Sequence, residues 1–223
     1  MFGFIFVRRQ NKNCAVARIC IVFQNYGFVG LPLTSLVFGS EGVVYGAIHL
    51  AIFQFFFYTF GIMILSGKFN IKSFVNCFKS PGIVCAIIGA LIFSFRIPVP
   101  DIIQTPINAI GNCATPLGMI IAGGIIARSD MRPVLKNGLT YVVAFLKLLV
   151  LPFCIIGLTK VFNIPDIIAV TAVISAACPQ ANYCNVYSEL YGKDSALSSG
   201  IFSLCTLLCI ITIPAVVALY GII

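Results

Sequence analysis

Four residues set close together invite a chemical explanation: Pro179, Gln180, Asn182 and Asn185, inside an apolar run that begins near Ile167. Proline donates no backbone N–H, and its ring collides with the preceding helical turn. A break there frees backbone groups, and amide side chains that both donate and accept follow at once. In a bilayer such a break persists only where it is buried in protein or lines a polar cavity. A ligand or ion site is one reading; a proline kink packed on a neighbouring helix is the other. A second break reads Asn25-Tyr26-Gly27-Phe28-Val29-Gly30-Leu31-Pro32. Asn25, Gln180 and Asn182 could hydrogen-bond a carboxylate or hold the freed backbone. Gly27 and Gly30 admit close approach of a ligand or of a helix. Lys147 is the basic residue deep within an apolar run. At mid-membrane it costs about 2.5–3.5 kcal/mol unless paired or hydrated. The sequence favours a polar-cavity role for it, attracting an anion or serving proton coupling. Snorkelling and pairing with a distant carboxylate are the alternatives.

The elements that carry these residues follow from composition. Hydrophobic residues make up 60% of the chain and charged ones 9%, against about 25% charged in soluble domains. The chain is predicted to be an all-α membrane protein, with spans near 19–38, 43–65, 81–95, 102–127, 138–158, 167–190 and 196–220. That is about seven spans, preceded at 1–7 by the tail of another helix. No alternating barrel pattern is visible. The net charge of +8 lies in short loops, so it reads as orientation rather than nucleic-acid binding. With the first loop cytoplasmic, Arg8, Arg9, Lys12, Arg18, Lys68, Lys72, Lys79, Arg128, Arg132, Lys136 and Lys193 share that side. Only Arg96 and Lys160 fall opposite, so the carboxyl terminus points outward.

The ten cysteines show no metal-ligand spacing and read as small apolar residues. No cofactor is expected. His49 reads as a satisfied core residue, and Glu41 and Asp194 as solvated turn residues. Asn108, Asn112 and Thr115 share a helical face; ordinary interhelical hydrogen bonding is their simplest role.

Shifting the chain by 153 positions lays Gly39 on Gly192, Phe38 on Tyr191, Glu41 on Asp194 and the first break on 178–183. Two similar broken helices of opposite sense are the mark of an inverted repeat, with a binding site at the membrane midplane. The division expected is 1–66, the end of a first repeat, and 67–223, a second repeat of five helices.

The motif Asn25 to Leu33, followed by Phe38-Gly39 and Glu41-Gly42, resembles the signature of the auxin efflux carrier family, which includes PIN-type exporters and malonate permeases. Pro179-Gln180-Ala181, Tyr191-Gly192, Asp194, Thr212 and Pro214 resemble its second crossover. The resemblance implies a ten-helix fold of two inverted five-helix repeats, a scaffold and a moving transport domain, and transport of small organic anions across the cytoplasmic membrane. Its substrate residues map onto Asn25, Gly27 and Pro32 in one crossover and Pro179, Gln180 and Asn182 in the other. Two helices and most of a third would precede this chain, which makes it N-terminally truncated against the family. A non-transporting remnant or partner subunit is therefore the alternative function. An intramembrane enzyme is disfavoured, because no nucleophile–base pair stands out. The bilayer and a small organic anion are the partners expected; a homodimer is left open, as is coupling to H+ or Na+.

Overall fold

The computed structural model describes residues 13–67 and 81–221. The expected helix tail at 1–7, and Arg8, Arg9, Lys12, Lys68, Lys72 and Lys79, lie outside the described residues. Within them the chain is an all-α membrane protein. Its helices are α1 Cys14–Val22, α2 Leu31–Phe56, α3 Ile62–Ser66, α4 Pro81–Ser94, α5 Asp101–Arg128 and α6 Met131–Lys136. Then come α7 Gly138–Phe145, α8 Leu151–Val161, α9 Asp166–Ala177, α10 Tyr183–Leu190 and α11 Ser195–Tyr220. Four stretches are long and apolar enough to cross a bilayer: Tyr26–Ser66, Asp101–Arg128, Gly138–Val161 and Ser195–Tyr220.

The expected first and sixth spans are each split in two. The first ends as α1 at Val22 and resumes at Tyr26; the sixth ends as α9 at Ala177 and resumes as α10 at Tyr183. Cys178 is extended (φ −64°, ψ 149°), the conformation a following proline imposes.

Prolines also shape the helices that continue. Leu31 donates its N–H to Tyr26 O and Leu151 to Leu146 O, five residues back, so Tyr26–Gly30 and Leu146–Val150 are π-helical turns. Pro32 and Pro152 follow directly. Each ring would strike the carbonyl four residues back, and the wider turn relieves that collision.

Gly39 (φ 59°, ψ −136°) reverses the chain inside α2. Beyond it, Gly42 packs on the Thr34 backbone and Gly46 on Leu31 and Tyr26. Tyr26–Ser66 is thus a helical hairpin, with its turn between the predicted spans 19–38 and 43–65. Gly192, its match in the proposed repeat, has a φ of 61°. Both positions need a left-handed backbone, which glycine adopts without a Cβ penalty.

The helix α1 is deeply buried, with Val16, Ala17, Ile19 and Cys20 fully enclosed among α3, α7, α10 and α11. Lipid gives no hydrophobic drive between helices, so close approach of small residues carries the packing: Gly118 lies against Phe28 and Gly200 against Val134. The described cysteines form no disulfide, and most are buried.

Asn13 Nδ2 donates to Asp194 Oδ2 at 3.2 Å, and Arg128, Asp130, Asn137 and Asp194 line one surface pocket of about 290 Å³. At another end the Lys160 ammonium sits 5.9 Å from the Tyr220 ring centroid. Asn108 and Asn112 are exposed on α5 and Thr115 is half-buried.

Candidate functional site

The two breaks touch, antiparallel. Asn25 N–H donates to Pro179 O at 2.7 Å and Ala181 N–H donates to Phe23 O at 3.0 Å, so Gln24 and Gln180 pair as an isolated β-bridge. Each break thereby satisfies backbone groups that the other leaves free. The helices α1 and α9 end at this crossing, whereas Tyr26–Gly30 and α10 begin there. Two partially negative helix ends and two partially positive ones converge.

Side chains from four segments tie the crossing together. Lys147 Nζ donates to Ile21 O at 3.0 Å and to Gln24 Oε1 at 3.3 Å. Gln24 Nε2 donates to Ser175 Oγ at 2.9 Å. Ser175 Oγ in turn lies 2.7 Å from His49 Nε2, and His49 packs edge-on against Tyr26 at 4.7 Å. Lys147 and Ser175 are fully buried. The ammonium therefore occupies the C-terminal end of α1, where the orphan carbonyls and the negative pole favour a cation.

A second cluster gathers around Asn25, Gln180 and Asn182. Asn25 Nδ2 donates to Asn182 Oδ1 at 3.3 Å. Gln180 Nε2 donates to Asn185 Oδ1 at 3.1 Å and to Ser198 O at 2.7 Å; Ser198 Oγ donates to Asn185 Oδ1 at 2.5 Å. Three buried polar atoms here have no partner: Asn182 Nδ2, Asn185 Nδ2 and Gln180 Oε1. Leaving such a group unpaired costs about 1–3 kcal/mol.

The residues singled out in the sequence fare differently. Asn25, Pro179, Gln180 and Asn182 meet at the crossing. Gly27 lies in the first turn beyond the crossing; a Cβ there would make only ordinary contact with Leu50 at 3.5 Å, so close packing does not require the glycine. Pro32 begins α2, half-buried, and shapes the π-turn. Lys147, expected to face a polar cavity, is instead packed with its ammonium on two carbonyl oxygens, because the end of α1 supplies the acceptors. The breaks likewise lie buried in protein. His49, taken for a core residue, is half-buried and bonded at the crossing. Gln24 and Ser198 had not been singled out. Gln24 directly precedes Asn25, but its partners lie more than 120 residues away.

The sequence profile described as "membrane transport protein" matches residues 67–217, more than half of the chain. The chain belongs to that family. The match covers the second break and Lys147, and it agrees at the level of the family with the auxin efflux carrier resemblance. A curated relative from Methanothermobacter thermautotrophicus (strain Delta H), named "Uncharacterized transporter", is 23% identical over 198 residues. That alignment takes in 88% of this chain and 65% of the relative, so the chain spans less than two thirds of the relative's length. Family membership and the four long apolar stretches among the described residues make this an integral membrane protein.

Proposed function

We propose that this protein acts in a secondary transporter, a permease for small organic anions such as carboxylates, and that the anion binds where the two breaks cross. One observation carries this reading: the Asn182 amide is buried at the crossing with Nδ2 unpartnered. Asn185 adds a second such donor nearby. A carboxylate accepting from both would remove two costs of about 1–3 kcal/mol each and gain charge-assisted hydrogen bonds. The starts of Tyr26–Gly30 and α10 add positive helix poles. The unpaired Gln180 Oε1 suits a water or a substrate hydroxyl beside the carboxylate.

The antiparallel breaks and the paired Gly39 and Gly192 turns support two inverted repeats divided near 66/67. The excess of Lys and Arg in alternate loops of the sequence supports a cytoplasmic-membrane orientation with the carboxyl terminus outward. Uptake of labelled mono- and dicarboxylates into proteoliposomes tests the function. The wild-type chain accumulates at least one of them, and Asn182→Ala does not. Equal uptake by both would reject the site.

A further inference from the structure

We infer that the Lys147 ammonium is a tethered counterpart of a coupling cation: it fills the cation site at the end of α1, so that ligand binding at the crossing needs no sodium. The inference rests on the carrier reading, but its test is separate. In carriers with broken helices, unwound carbonyls and half-helix C-terminal ends hold the coupling sodium. The crossing here has those parts. Ile21 O belongs to the last turn of α1, and Gln24 Oε1 extends from the break itself; both are hard oxygen donors of the kind alkali and alkaline-earth ions take. Their occupant is Lys147 Nζ, at 3.0 and 3.3 Å. The lysine is fully buried and its partners are carbonyls, so its charge is balanced by dipoles in the way a bound metal cation's would be. It enters from the π-turn Leu146–Val150, whose widened backbone faces α1. A covalently held cation cannot dissociate, so it keeps the negative pole of α1 compensated whatever the sodium concentration. Gln24, whose amide passes from Lys147 to Ser175, joins that fixed charge to the second broken helix.

The test is thermal unfolding of the full purified chain in choline chloride, sodium chloride and methylammonium chloride at equal ionic strength, with no organic anion present. The wild-type midpoint should be the same in all three. Lys147→Ala empties the position and should melt several degrees lower in choline. Sodium or methylammonium should restore part of that loss, as a ligand of the native state does. Sodium stabilisation of the wild type would overturn the inference. So would a Lys147→Ala protein as stable as wild type in choline, or one that neither cation restores. Should the variant fail to fold, the wild-type comparison decides alone: indifference to sodium supports the inference and stabilisation by it refutes it. Because no carboxylate enters the measurement, failure here leaves the anion site standing, and failure of the uptake assay leaves the cation result standing.

Discussion

The main-chain N–H of Asn25 donates to the carbonyl oxygen of Pro179 at 2.7 Å, and this bond joins two broken helices that lie far apart in sequence. Each break would otherwise leave buried backbone groups without partners. The crossing is therefore a cooperative unit: neither break is tolerable in lipid without the other.

Pro179 maintains that unit by holding Cys178 extended. Replacing it with alanine permits α9 to continue helically and forfeits the two cross-break bonds, worth about 0.5–1.5 kcal/mol each. Pro179→Ala should lower the melting temperature by several degrees. An unchanged midpoint in differential scanning fluorimetry would show that the proline does not set the break.

The two glycines of the first break should behave oppositely. A Cβ on Gly30 would collide with the Tyr26 ring and press Cys178 Sγ at 3.1 Å. Tyr26 is fully buried and its hydroxyl is bonded to Thr34 Oγ1 at 2.9 Å, so it has no room to yield. Gly30→Ala should cost about 1–3 kcal/mol, as overpacking does. Gly27→Ala makes only an ordinary contact and should change stability little. The pair of melting curves checks this directly.

What the sequence disclosed, and what it withheld, follows from the range of the interactions. Proline, glycine and amides inside apolar runs are local anomalies, so Asn25, Pro179, Gln180 and Asn182 could be found one by one. Their meeting was inferred from the repeat, and the Gln24–Gln180 bridge realises it. The chain of bonds from Lys147 through Gln24 and Ser175 to His49 joins four segments, and a polar side chain's partner leaves no mark on its own neighbourhood in sequence. Lys147 illustrates the limit. Its cost in a membrane was legible, but its acceptor, the Ile21 carbonyl, is main chain and carries no residue-type signal.

Lys147→Met separates charge from packing. It strands two buried oxygens, at about 1–3 kcal/mol each, but keeps packing volume that alanine would lose. Melting should therefore fall, by less than for Lys147→Ala. Carboxylate affinity should fall about tenfold, equivalent to about 1.4 kcal/mol of lost electrostatic attraction. Titration calorimetry with unchanged affinity would remove Lys147 from the account of anion binding.

Ser175→Ala withdraws the hydroxyl shared by Gln24 and His49. Gln24 Nε2 loses its acceptor, and the cost should be about 1–3 kcal/mol. Ser175→Thr keeps the hydroxyl and should recover part of it. Equal melting of the alanine and threonine variants would show that the bond chain does not stabilise the crossing.

The most direct test is the melting temperature of the wild-type chain and of Asn182→Ala across a panel of mono- and dicarboxylates. At least one carboxylate should raise the wild-type midpoint in a saturable way and leave that of Asn182→Ala unmoved. Equal stabilisation of both proteins, or of neither, would contradict an anion site at the crossing.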